Sequence, residues 1–240
     1  MIHILKGPNE VEHYENDGPR ILFVGRAGSG KDTAASAIGN AMVEEIPLEE
    51  NPMAMSGMEL EGAPTPKRWK RLTKDGNPPF SQIALADPIR SMVSSGFNVS
   101  MDILFDAQAK NEAEVGLAMG ASPLRLMQLV GQSLRDGIGE DIWLEYLIKT
   151  ASNIESQSPH TALAVTDVRY ANEFDTLRDA WATRVLAIGI SGRGAEVESH
   201  ESEDQVDDLV KRCDIEIDNS GSVEDFERKV VEAVDHWFPN

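Results

Sequence analysis

Ile21-Leu22-Phe23-Val24 runs straight into Gly25-Arg26-Ala27-Gly28-Ser29-Gly30-Lys31-Asp32, and then into the helix-forming stretch from Thr33 to Val43. An apolar β-like run, a glycine-rich turn and a helix in that order form the pattern that cradles a nucleotide's phosphates. The glycines let backbone N–H groups turn inward at a helix N-terminus, where aligned peptide dipoles favour an anion, and the lysine can reach the β- and γ-phosphates. Gly28, Ser29, Gly30 and Lys31 are therefore candidate phosphate ligands. Asp32 stands where Ser or Thr commonly places a hydroxyl on Mg²⁺, and Thr33 follows one step later, so both are candidates for the metal.

Composition narrows what surrounds this loop. The chain has 240 residues, 41% of them hydrophobic, which suits one α/β domain with insertions or two small ones, the single domain being the simpler reading. A formal net charge of −19 argues against nonspecific binding to nucleic acid or to an anionic membrane, since both are polyanions. Any anionic ligand must be held by local basic groups. The lone Cys213 excludes an intramolecular disulfide, and the five histidines show no metal-ligand spacing, which fits a cytoplasmic setting. No apolar signal core or membrane-length run is evident.

Along the chain, strand and helix alternate, which predicts a mostly parallel sheet covered on both faces. Residues 1–19 read as an extension. A stretch from Pro47 to Phe80, rich in Pro, Gly, Met and charge, precedes a strand expected over Gln82–Ala86. Inside that stretch Lys67–Lys74 is the most basic segment, either a flap over an anionic substrate or a solvated hairpin around Asp75-Gly76. Ser122 is a candidate N-cap with Pro123 at the first helical position. In that helix Leu124, Met127, Val130 and Leu134 recur on one side, while Arg125, Gln128, Gln132 and Arg135 recur on another.

A helical segment around Ile142–Leu147 leads to a buried strand over Ala162–Val165, ending in Thr166-Asp167-Val168-Arg169. Ligand groups gather at the carboxyl ends of parallel strands, which is where Asp167 and Arg169 fall. A helix from about Asn172 to Trp181, a strand over Arg184–Ile190 and a last strand over Asp214–Ile217 follow. Ser222 with Asp225 opens the final helix, whose stripe Val223, Phe226, Val230, Ala233, Val234 and Trp237 reads as core. The acidic stretch Gly192–Asp208 reads as a solvated loop or weak helix.

Together these segments resemble the bacteriophage-type deoxynucleoside monophosphate kinases of the P-loop kinase group. The resemblance is carried, in chain order, by Gly30–Thr33, by Leu85-Ala86-Asp87-Pro88-Ile89-Arg90 and by Arg125-Leu126-Met127-Gln128 with Gly131. Asp167-Val168-Arg169 with Glu173, and Asp218-Asn219-Ser220-Gly221-Ser222, complete it. His200-Glu201-Ser202-Glu203 is similar to a His-x-Ser-Glu element of the group, and an Asp after the loop lysine is familiar there. The likeness covers most of 20–110 and 122–236.

The resemblance implies a P-loop kinase-like three-layer α/β/α fold in a single domain over 1–240, with a flexible insertion at 47–80 and acceptor-binding and lid helices over about 87–140. It implies ATP with Mg²⁺ as donor and a small deoxynucleoside monophosphate as acceptor, with no nucleic acid or membrane partner; a homodimer is compatible with it. A phage-encoded chain of this kind works in the host cytoplasm. By the same resemblance Lys31, Arg125, Arg135 and Asp167 are catalytic, Arg125 and Arg135 as a lid clamp. Asn219 lies near the adenine, and Asp87, Arg90, Gln128, Arg169 and Glu173 meet the acceptor. A dephospho-coenzyme A or phosphomevalonate type of kinase, or a nucleotide switch without acceptor, stays open as an alternative.

Overall fold

Arg20–Val24 forms β1, and every one of its residues is buried. That requires cover on both faces of the sheet. The computed structural model describes residues 18–42, 80–106, 108–112, 115–116, 119–159, 161–193 and 201–238. Most of the 1–19 extension, the Lys67–Lys74 segment and His200 lie outside the described residues.

In chain order the strands are β1, β2 (Phe80–Ile83), β3 (Ala162–Val168), β4 (Val185–Ser191) and β5 (Ile215–Asp218). They pair in the order β2-β3-β1-β4-β5, all in parallel. The helices are α1 (Lys31–Ala41), α2 (Asp87–Phe97), α3 (Met101–Phe105), α4 (Ala109–Glu112) and α5 (Pro123–Gly137), then α6 (Ile142–Gln157), α7 (Ala171–Trp181), α8 (Glu201–Val210) and α9 (Val223–Trp237).

Alternation along β1 divides the core. Leu22 and Val24 face Trp143, Leu147, Phe174 and Leu177 of α6 and α7, with Val206 and Leu209 of α8. Ile21 and Phe23 face Ala34 and Ile38 of α1 and Phe226, Val230 and Val234 of α9. The result is the expected three-layer α/β/α fold, with helices on both faces of a parallel sheet. A third apolar cluster, Val93, Val99, Leu104, Val115 and Leu126, binds α2, α3 and α5 into a helical insertion.

Several expected boundaries move for identifiable reasons. β2 ends at Ile83 rather than Ala86, because side chains claim the next amides: Ala84 N–H donates to Asp87 (2.8 Å), while Leu85 and Ala86 donate to Asp167. In α5 Pro123, Leu126 and Gly131 are buried, and Met127, Val130 and Leu134 of the expected stripe are half-buried against the core. On α9, Val223 and Trp237 are 45% and 40% exposed, correcting their assignment to core. α9 has 15 residues against 11 in α1, so its ends run past the helix it packs on. The acidic segment contributes α8, whose Val206 and Leu209 are buried against the sheet, so it is more than a solvated loop. Half-buried Cys213 donates its thiol to the Leu209 carbonyl; burial first, then the Asp214 carboxylate, pushes its pKa up to about 12.

Candidate phosphate-binding site

The turn after β1 keeps a helix N-terminus available. Gly30, the N-cap of α1, has φ 104° and places no side chain on the first turn of the helix. Its missing Cβ matters doubly: a Cβ there would lie 2.6 Å from the Asn219 amide nitrogen. Asn219 follows β5, is buried, and donates to the Ser29 carbonyl at 2.7 Å. The far end of the chain therefore fixes the shape of the turn.

Lys31 is only 7% exposed. Its Nζ donates to the carbonyls of Gly25 (2.6 Å) and Arg26 (2.7 Å), folded back along the loop. Arg26 forms a bidentate pair with Asp207 of α8 (2.9 and 2.7 Å). Ser29 Oγ is buried without a hydrogen-bond partner among the described residues. An orphaned hydroxyl, an uncapped helix start and positive-φ glycines at 28 and 30 suit an anion. The exposed Asp32 carboxylate and half-buried Thr33 sit in the same first turn of α1. Their hard oxygens fit Mg²⁺.

Asp32 reaches across the sheet edge: Gln82 of β2 donates to it at 2.9 Å and also approaches Thr166 Oγ1 of β3 at 3.4 Å. Beside them the β1–β3 pairing shifts register, Leu22 opposing Val165 but Val24 opposing Val168. The extra residue returns Val168 to the core and leaves Thr166 and Asp167 at the rim.

Asp167 accepts the N–H groups of Leu85 (2.7 Å) and Ala86 (2.9 Å). Burial raises its pKa, opposed by those two amides and by Arg169 and Arg90. The carboxylate fixes the start of α2, where Asp87 accepts from Arg90 at 2.7 Å and Arg90 lies over the Phe105 ring at 4.8 Å. The β2 and β3 ends thus bring Asp87, Arg90, Asp167 and Arg169 together.

Other predicted residues fall elsewhere. Glu173 is 2% exposed, and its oxygens accept from Arg135 (2.6 Å) and from the N–H groups of Arg169 (3.0 Å) and Tyr170 (3.1 Å). It closes the first turn of α7. Arg135 is held by Glu173, by the Glu140 carbonyl (3.0 Å) and over the Tyr170 ring (4.6 Å). α5 itself is tied to α6 by Trp143 Nε1 donating to the Gly131 carbonyl at 3.1 Å. Arg125 is exposed and Gln128 half-buried on the same helix. The Asn219 side chain serves the turn by its amide donor.

Among solved structures the chain is similar to the shikimate kinase of Aquifex aeolicus, at 9% identity and TM-score 0.40, covering 90% of this chain and 96% of that one. It is similar to the APS kinase of Mycobacterium tuberculosis at 12% identity and TM-score 0.38, covering 92% and 99%. A dephospho-CoA kinase from Campylobacter jejuni shows 12% identity and TM-score 0.45 over 90% and 96%. No protein-family profile matches the chain, and no curated protein does.

Three residues escaped the motif reading. Arg20 is fully buried, pairing with Glu155 (2.6 Å) and donating to the Gly18 (2.6 Å) and Thr161 (3.0 Å) carbonyls. A charge abutting an apolar run was its only signal. Gln82 reads as an ordinary polar strand position. Lys110 lies in a polar stretch with no motif, yet its ammonium feels Arg90, Arg169 and Asp32.

Proposed function

We propose that the chain transfers the γ-phosphoryl group of ATP to a deoxynucleoside monophosphate, giving ADP and the diphosphate. One observation carries this reading. Beside a loop shaped for a nucleotide's phosphates stands a second group of charges, Asp87, Arg90, Asp167 and Arg169, at the ends of β2 and β3. A protein that only bound a nucleotide would need the first site alone.

In this scheme Gly28, Ser29, Gly30 and Lys31 hold the donor's β- and γ-phosphates, Lys31 exchanging the Gly25 and Arg26 carbonyls for phosphate oxygens. Asp32 and Thr33 hold Mg²⁺, which neutralises charge on the phosphates when bound. Arg90 and Arg169 receive the acceptor's phosphate, with Asp87 setting Arg90 and Gln128 at the margin of the acceptor site. An acceptor oxygen bonds to the γ-phosphorus as the bond to the β-bridging oxygen breaks. That oxygen is already ionised at neutral pH, so no strong general base is required. Asp167 acts by holding the β2–α2 turn, and Arg125 closes over the phosphates to exclude water.

The test is ADP release from ATP with magnesium against a panel of deoxynucleoside and ribonucleoside monophosphates. Turnover that depends on a deoxynucleotide supports the proposal. Turnover only with dephospho-coenzyme A or phosphomevalonate overturns the acceptor assignment, and tight ATP binding that no acceptor stimulates overturns the transfer itself.

A further inference from the structure

Gln82 is an exposed polar residue on β2, at the edge of the sheet. Side chains alternate along a strand, so Phe80 and Gln82 share one face, the face on which α1 lies. Phe80 belongs to the cluster that holds Ala34, Ala35 and Ile38 of α1, and Gly39 gives it room, since a Cβ there would come within 3.2 Å of the ring. Two residues on, Gln82 reaches the other end of the same helix and donates to Asp32 Oδ1 at 2.9 Å. The edge strand therefore touches α1 near both ends.

Both hydrogens of the Gln82 amide are engaged. One goes to Asp32, and the other approaches Thr166 Oγ1 at 3.4 Å, a buried hydroxyl two residues beyond Ala164, the register partner of Gln82. Turning the amide over would set its carbonyl oxygen against the Asp32 carboxylate, which accepts and cannot donate. Asp32 Oδ2 accepts no hydrogen bond among the described residues, so one carboxylate oxygen is tethered and the other is left over. A carboxylate on the exposed first turn of a helix otherwise turns about two side-chain bonds, and that freedom is lost when it binds a cation. A donor anchored on two strands removes the loss in advance. The neutral amide does so without bringing a positive charge to compete with the metal.

Building on the reading in which Asp32 holds Mg²⁺, we infer that Gln82 is the positioning residue of that carboxylate. Through it β2 and the end of β3 set the oxygen that the nucleotide's cation meets. Gln82 acts through Asp32 and is not itself a ligand.

The experiment measures calorimetric affinity for a non-hydrolysable ATP analogue, with magnesium and with chelator, in wild type, Gln82→Leu, Asp32→Ala and the double variant, alongside urea midpoints. The expected result is that Gln82→Leu lowers affinity about tenfold with magnesium and by less than about twofold in chelator, with the midpoint unmoved. On the Asp32→Ala background the same substitution costs less than about twofold, since the carboxylate it orients is gone. Full additivity of the two substitutions overturns the inference, and so does a Gln82→Leu loss that is equal with and without magnesium, which is what a purely structural strut gives. Unchanged magnesium-dependent affinity in Gln82→Leu, beside a loss in Asp32→Ala, overturns it while leaving Asp32 on the metal. Unchanged affinity in Asp32→Ala removes Asp32 from the metal and the inference with it. Absence of analogue binding in folded wild type ends the phosphotransfer reading as a whole.

Discussion

Arg135 and Glu173, 38 residues apart, form an ion pair at 2.6 Å whose side chains are 16% and 2% exposed. The pair ties the helical insertion, through α5, to the first turn of α7 beside the end of β3.

Breaking this pair is therefore expected to cost stability first. Glu173→Ala leaves the Arg135 guanidinium and the Arg169 and Tyr170 amides without their acceptor, a loss of about 3–5 kcal/mol by analogy with other broken buried pairs. Arg135→Ala should lower the denaturation midpoint and leave kcat of the folded fraction within about threefold. A normal midpoint with a large fall in kcat would place Arg135 in the clamp.

Exposed Arg125 and buried Lys31 make the complementary comparison. Arg125→Ala should leave the midpoint within about 0.5 kcal/mol of wild type and depress kcat. Lys31→Ala should lower kcat/KM by a hundredfold or more, roughly 2.7 kcal/mol of transition-state stabilisation. Lys31→Ala turnover within about threefold of wild type would remove the lysine from the reaction.

Asn219 predicts a loop defect produced from the far end of the chain. Asn219→Ala strands the Ser29 carbonyl, at a cost of about 1–3 kcal/mol, and frees the turn from its tether. ATP affinity measured by calorimetry should fall, with acceptor KM nearly unchanged. Unaltered ATP affinity would show that the turn holds its shape alone.

Asp167 gives a signed pH dependence. Burial raises its folded pKa, so its contribution to stability is fully present below the unfolded value of about 3.9 and is lost as pH rises through the folded one. Asp167→Asn cannot accept both the Leu85 and Ala86 amides and should be less stable, by about 1–3 kcal/mol. Urea midpoints across that range should show the deficit of Asp167→Asn narrowing with rising pH. A widening deficit would contradict the direction of the shift.

Local chemistry made the phosphate loop, the alternation of elements and the Ser122 and Ser222 caps legible in the chain alone, and the caps hold, accepting from Arg125 (3.3 Å) and Asp225 (3.2 Å). Each of these features is written within a few consecutive residues, where glycine conformation, apolar period and a capping hydroxyl act directly. The end of β2 and the partners of Arg135, Glu173 and Asn219 were decided only by tertiary structure. Their partners lie far away in sequence, and residue type does not reveal whether a polar side chain will meet a substrate or a backbone amide from another strand. A buried carboxylate or amide takes whichever donors or acceptors the packed elements present, because leaving them unpaired costs more than any local preference.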